Sequence, residues 1–371
     1  MPRSHLDPCE LYRCPDTCAP LEWDGQGLRA SLPWLAASVV YPVRRGVPDF
    51  SRAPASESPE VVARLQELNR RAARDGWRAA LEVLADPEAV RYVTSPTRTA
   101  FLELLPLAGA RALEVGASLG QITAAAARLA RQVYALEVVP LQAAFALARC
   151  RQEGLDNVAV AGGGADCLLP YADGAFDVVI LNLVLEWCAG RSGGDPEQLQ
   201  RRLLHEALRV LMPGGTLWVA TKNRFALRYL SGRGDEHAHG LPFGNALPRP
   251  LLRGLLRLRR LPPAPGLLRS HRGLAALLCE VGFERPRSLW AAPEVRYPRR
   301  FVSMRAAAVR AARRHPDFEV SLPLRLVPAR LVKHLAHGLV FVARKPAWGA
   351  PRAPASRAAS WLVGEEPQGS S

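Results

Sequence analysis

Apolar and polar positions change rhythm repeatedly along the middle of this chain. Compact apolar runs at 111–115, 133–137, 157–161, 176–182 and 215–221 are too short for helices and predict strands buried on both faces. Between them, 119–130, 140–153 and 197–211 place apolar residues at helical spacing. Strands and helices alternating at this interval predict right-handed crossovers, hence an α/β fold with a mostly parallel sheet and helices on both faces. A helix at 271–281, a strand near 286–291 and a last apolar strand at 337–345 follow, separated by insertions at about 223–270 and 292–335.

The two ends read differently. Residues 1–50 predict a small, turn-rich, β-rich module closing on YPVRRGVPDF. Residues 51–94 form a linker and helical lead-in: SRAPASES is linker by composition, Ser58 caps a helix with Pro59 at its first position, and helical spacing continues through Leu84. A second short helix, near Pro96 to Leu105, leads into the main domain, 95–345. The tail, 346–371, is rich in Pro, Ala, Ser and Gly and is expected to be disordered.

Composition changes this picture little. The chain has 371 residues, about half of them apolar, without any uninterrupted apolar run of eighteen, so no membrane span is expected. The N-terminus lacks the apolar core of a secretory signal, and a cytoplasmic protein is expected. A net charge of +15 suits an anionic partner, but only three of the 49 basic residues are lysines. Such an arginine bias arises from nucleotide composition alone, so nucleic acid is an alternative and not the favoured partner. The cluster LLRGLLRLRR at 251–260 reads as an amphipathic helix suited to peripheral contact with a membrane surface or another anionic partner. Cys150, Cys167, Cys188 and Cys279 stand isolated among apolar residues and read as reduced core thiols.

The chemistry concentrates at RALEVGASLGQITAAAARLARQVYALE, 111–137. In an open parallel sheet, ligands bind beyond the carboxyl ends of the strands, where strand order reverses. Gly116 and Gly120 let backbone approach a ligand there, and Glu137 can accept hydrogen bonds from ribose hydroxyls at the next strand end. Dinucleotide-binding oxidoreductases and S-adenosylmethionine-dependent methyltransferases both use this plan. A pyrophosphate site would read GxGxxG; here Glu114 precedes Gly116-Ala-Ser118-Leu-Gly120, and an acid suits a cationic ligand instead. The GxSxG nucleophile elbow is a third possibility, without an acid and histidine in the expected order. The stretch resembles the first motif of class I methyltransferases, E/D-x-G-x-G-x-G, with Ser118 in place of the middle glycine.

That resemblance extends over about 95–345, through LLPYADGAFDVVILNLVLEW and HEALRVLMPGGTLWVATKNR. It implies a Rossmann-like seven-stranded sheet and S-adenosylmethionine as cofactor. It further implies that Glu114, Gly116, Ser118, Gly120, Glu137, Asp166 and Asn182 bind that cofactor, Asp166 standing one residue later than the family's adenine-binding acid. ILNLVLEW with KNRFALRYLSGRGDEHAHGLPF looks like a bacterial subgroup tied to surface-polysaccharide assembly, which implies O-methylation of a small molecule or glycan precursor. RNA methylation and a non-catalytic cofactor-binding role are the alternatives. Glu186, Asp235, Glu236, His237 and His239 fall in loops expected near the methyl group, with His237 and Glu186 the candidate catalytic residues. The N-terminal module resembles the zinc ribbon that fronts several bacterial methyltransferases. Cys14-Pro-Asp-Thr-Cys18 and Tyr41-Pro-Val-Arg-Arg-Gly-Val-Pro48 remain, but the second cysteine pair is absent. His5, Cys9, Cys14 and Cys18 are irregularly spaced, and a degenerate, metal-free ribbon is expected.

Overall fold

A computed structural model describes residues 8–32, 37–52, 57–84, 86–188 and 194–347. The tail from 348 onward and His5 lie outside these residues. Five strands form the parallel part of the main sheet: β5 (Arg111–Val115), β6 (Gln132–Glu137), β7 (Val158–Gly162), β8 (Phe176–Asn182) and β9 (Leu211–Lys222). Strand β12 (Gly338–Arg344) runs antiparallel beside β9, β10 (Glu284–Ala292) runs antiparallel to β12 and so in the direction of the first five, and β11 (Arg300–Ser303) adds an eighth, antiparallel strand at the edge. The order is β11-β10-β12-β9-β8-β5-β6-β7. All seven expected strands are present; the eighth comes from the second insertion, where four residues are too few to show a period.

Side chains alternate between two cores. Leu113, Val115, Tyr134, Leu136, Val179, Leu181, Leu217 and Val219 join one cluster; Ala112, Val133, Ala135, Val178, Ile180, Trp218 and Ala220 join the other. The first face is covered by α5 (Pro196–Val210) and α7 (His271–Val281), and the second by α3 (Gln121–Ala127), α4 (Pro140–Gln152) and the 3-10 segment Pro96–Leu104. Helix α1 (Pro59–Asp75) begins where Ser58 accepts the amide of Val61 and ends at Gly76, whose φ of 90° breaks it. With α2 (Pro87–Thr94) it packs over Leu119 and Phe145.

The N-terminal strands β1 (Glu22–Trp23), β2 (Gly27–Leu32), β3 (Ala37–Arg44) and β4 (Val47–Pro48) form an antiparallel sheet. This sheet shares a core with the main one. Asp49 bridges in parallel to Gly162 of β7, and Tyr12 bridges to Tyr171. Phe50 lies 5.4 Å from Tyr12 and 4.8 Å from Tyr41, ring to ring, in the same cluster as Tyr134, Tyr171 and Phe176. The Cys14 sulfur, also buried here, sits 3.1 Å from the Tyr41 hydroxyl, while Cys18 is exposed. A Phe50→Ala variant is expected to lose about 3–5 kcal/mol of stability, read as a lower urea midpoint. An unchanged midpoint would mean that the small sheet contributes nothing to the main fold.

Candidate cofactor and acceptor site

Strand order reverses between β5 and β8: the chain leaves β5 for β6 and β7 on one side and returns through β8 on the other. The crevice at these carboxyl ends is where an open sheet leaves strand-end groups without a neighbouring strand. The turn after β5 is left-handed at Gly116, Ser118 and Gly120, with φ of 81°, 49° and 76°. The amides of Gly116 and Ala117 donate to the Leu136 carbonyl at 2.7 and 3.2 Å, tying the turn to β6. A Cβ on Gly120 would stand 2.9 Å from the Ala146 backbone in α4, and one on Gly116 would meet the Val184 side chain at 2.4 Å. Both glycines are fixed by conformation and by space.

Ser118 carries a left-handed cost of about 1–2 kcal/mol that glycine would avoid. Its amide donates to Glu137 at 2.7 Å, and the other oxygen of the same carboxylate accepts from Val139 at 3.0 Å. Glu114 is buried beside it and accepts from the Thr123 hydroxyl at 2.5 Å. Burial pushes the Glu114 carboxyl up from 4.5 to about 8, the Thr123 bond opposes this, and the Glu137 charge adds to it. The Arg98 and Arg149 charges lower the carboxyl too, but they do not offset burial.

Asn182 ends β8 and accepts from the Trp218 indole at 3.3 Å. It lines a narrow groove with Arg98, Phe101, Trp218 and Phe301. Arg98 is buried, donates to Gln121 Oε1 at 3.0 Å and lies 3.4 Å above the Tyr92 ring. Asp166 accepts from Leu168 and pairs with Arg52 at 3.1 Å, so its carboxylate is joined to the segment leaving the N-terminal sheet.

The predicted catalytic residues meet in a second cluster. His237 is buried, with Nδ1 2.5 Å from Asp235 Oδ1. Burial alone would raise the Asp235 carboxyl, but hydrogen bonds from His237 and Lys222 outweigh it and hold the group far below the carboxylate range. Asp235 accepts from Nδ1, and Nε2, on the far side of the ring, has no hydrogen-bond partner among the described residues. Lys222 at the end of β9 reaches Asp235 at 2.8 Å and also contacts Glu236, while the Tyr229 hydroxyl donates to Asp235 at 2.9 Å. Glu186 is buried; burial raises its carboxyl, opposed by the His237 and Lys222 charges and by the nearby Thr221 hydroxyl. The segment at 266–267 joins the two: Leu267 donates to the Glu186 carbonyl at 2.8 Å, and a Cβ on Gly266 would lie 2.4 Å from His237 and 2.5 Å from that carbonyl. The exposed Trp187 ring lies 4.1 Å from the His237 ring, whereas His239 is turned to the Pro263 carbonyl at 3.1 Å.

Sequence reasoning did not single out Arg98, Lys222, Tyr229 or Gly266. Lys222 had one available signal: it is one of three lysines in an arginine-rich chain and it stands at a strand end.

Residues 113–219 match the family described as "Methyltransferase domain". No curated protein matches the chain. Among solved structures, a chain from the complex between the Haloferax volcanii Trm112 methyltransferase activator and a methyltransferase aligns at a TM-score of 0.41, with 17% identity over 76% of this chain and 98% of that one. Haemonchus contortus phosphoethanolamine N-methyltransferase 2, in complex with phosphomonomethylethanolamine and S-adenosylhomocysteine, aligns at 0.42, with 17% identity over 78% of this chain and 61% of its own. A SAM-dependent methyltransferase from Aquifex aeolicus aligns at 0.39, with 15% identity over 72% of this chain and 97% of its own. The matched segment spans the glycine turn and strands β5 to β9 of the α/β sheet. Residues 113–219 carry a methyltransferase domain, for which S-adenosylmethionine is the cofactor. The residues fit that ligand: a buried acid, Glu114, stands beside the Glu137 carboxylate at a left-handed turn bounded by two glycines. Among the described residues, no helix is long and apolar enough to cross a membrane.

The Glu114 carboxyl yields a pH test. Its folded value of about 8 exceeds its ordinary 4.5, so its stabilising contribution is complete below 4.5 and is lost as pH rises through 8. The stability of Glu114→Gln relative to the parent, both without cofactor, is expected to increase as pH is raised from about 5 to about 8. Urea midpoints that keep a constant separation over that range would refute the buried, protonated carboxyl.

Proposed function

We propose that this protein transfers a methyl group to a hydroxyl of a small molecule or glycan precursor in the cytoplasm, with His237 as the general base. The observation that carries this reading is the Asp235–His237 pair: a carboxylate 2.5 Å from Nδ1 and a buried, unpartnered Nε2. A hydroxyl is a weak nucleophile until its proton is removed, and a base oriented through its second nitrogen by an acid is the arrangement that does so. S-adenosylmethionine supplies a methyl group already activated on a positively charged sulfur, so the protein's work is orientation, water exclusion and proton removal.

Lys222 and Tyr229 hold Asp235 ionised and in place, which fixes the His237 tautomer. An acceptor reaches Nε2 by displacing the exposed Trp187 ring. Glu186, whose carboxyl is raised by burial, can in its protonated form donate a hydrogen bond to an acceptor oxygen. On the cofactor side, Glu114 pairs with the ammonium group and Glu137 with the ribose, alongside Gly116, Ser118, Gly120 and Asn182. Arg98 is the buried cation for the cofactor's carboxylate, and Asp166 stands toward the adenine end.

His237→Gln is expected to lower kcat by about 100-fold or more, with affinity for S-adenosylhomocysteine unchanged by calorimetry. Asp235→Asn should act in the same direction by releasing the tautomer. The acceptor fraction comes from labelled methyl transfer into a fractionated lysate; normal turnover by His237→Gln removes the residue from the chemistry. Arg98→Met is expected to weaken cofactor binding by roughly tenfold to a hundredfold, the range for a charge-assisted hydrogen bond. Unchanged affinity would assign Arg98 to packing alone.

A further inference from the structure

The insertion after β9 contains more than the histidine. From His237 to Cys279 there is no Asp or Glu, while Arg249, Arg253, Arg257, Arg259, Arg260, Arg269 and Arg272 fall in the same stretch. Its centre is α6 (Arg249–Leu258). Leu256 is buried against the body, Leu252 and Leu255 are half-buried, and Leu251 and Leu258 are 61% and 82% exposed. Positions 251, 255 and 258 are spaced four and three apart, so they form one apolar stripe along the helix. Phe243, just ahead of the helix, is 49% exposed. The helix is fastened at its first turn, where Arg249 pairs with Glu197 of α5 and Arg224 donates to the carbonyls of Asn245 and Leu247 at 3.1 and 2.7 Å.

Arg253, Arg257, Arg259 and Arg260 make no ion pair among the described residues. The surface thus joins unpaired positive charge to exposed leucine, and a partner must answer both. Nucleic acid would pair with the arginines and leave the leucines in water, and the helix offers no aromatic ring for base stacking. A second copy of the same face would oppose arginine to arginine. The surface of an anionic bilayer satisfies both requirements: the leucines enter the acyl boundary and the guanidinium groups stay among the headgroups.

We propose that α6, with Phe243 ahead of it, docks this protein on an anionic lipid surface. The docking is independent of which group is methylated and of the role of His237. The insertion leaves β9 at Lys222, passes through Asp235 and His237, and after α6 returns to His237 and Glu186 at Gly266. A bilayer engaged by α6 is therefore held by the same insertion that encloses the acceptor-side cluster.

The test is co-sedimentation of the full chain with vesicles of phosphatidylcholine alone and of phosphatidylcholine with one-third phosphatidylglycerol. Binding to the anionic vesicles is expected, weakening as salt is raised, with little binding to the neutral ones. Leu251→Ser/Leu258→Ser and Arg253→Gln/Arg257→Gln/Arg260→Gln should each reduce partitioning about tenfold. Because these side chains are largely exposed, thermal midpoints should stay at the parent value, which separates lost docking from lost folding. The proposal is overturned if the parent does not sediment with anionic vesicles, or if the leucine variant binds them as the parent does. It is also overturned if single-stranded RNA binds and vesicles do not, or if the leucine substitutions dissolve a dimer in sedimentation equilibrium.

Discussion

Glu137 holds the cofactor end of this protein together. Its two oxygens accept the amides of Ser118 and Val139, one from the turn after β5 and one from the turn after β6. Two neighbouring parallel strands are thereby closed by a single buried carboxylate, and the left-handed residue that the turn requires at position 118 is held in place. Glycine is the usual solution where a chain must turn left-handed. Here part of that demand is met by a charged hydrogen bond, which explains how a serine occupies the middle of a turn flanked by Gly116 and Gly120. Burial, with the nearby Glu137 charge added, raises the Glu114 carboxyl to about 8 despite the opposing Arg98 and Arg149 charges.

A second balance operates on the acceptor side. Lys222, Tyr229 and His237 all converge on Asp235, so a carboxylate removed from water remains ionised. Glu186, in the same cluster, is pushed the other way: burial raises its carboxyl, and the His237 and Lys222 charges oppose that rise without reversing it. In this arrangement the two acids are shifted in opposite directions, set by the groups that converge on each one. The glycine at 266 makes it sterically possible, because any side chain there would push His237 away from the Glu186 backbone.

The N-terminal sheet bears on the same site from the far side. Asp49 and Phe50 join it to β7, and Arg52, immediately after, pairs with Asp166 in the loop beyond β7. The module is part of the main core, and its last residues reach a loop at the carboxyl end of the sheet. Cys14 is spent in this packing against Tyr41.

Strands were legible in the sequence because burial on both faces forces continuous apolar runs, and a run of five to seven residues bounded by turns admits few other shapes. The turn bounded by Gly116 and Gly120 was legible because left-handed conformation constrains residue type within a short window. From spacing alone the edge strand β11 was not, since four residues at a sheet margin carry no period. Nor were Arg98, Lys222 or Gly266, each of which acquires its role from chain far away in sequence: Arg98 from the Asn182 groove, Lys222 from Asp235, Gly266 from His237 and Glu186. The sequence by itself determined which elements form and where the left-handed glycine turn falls, because those depend on local spacing and short-range sterics. Only the tertiary structure decided which way each buried acid is shifted, which groups meet around His237 and which leucines stay outside, because desolvation and unmet hydrogen bonds exist only once distant segments are packed together.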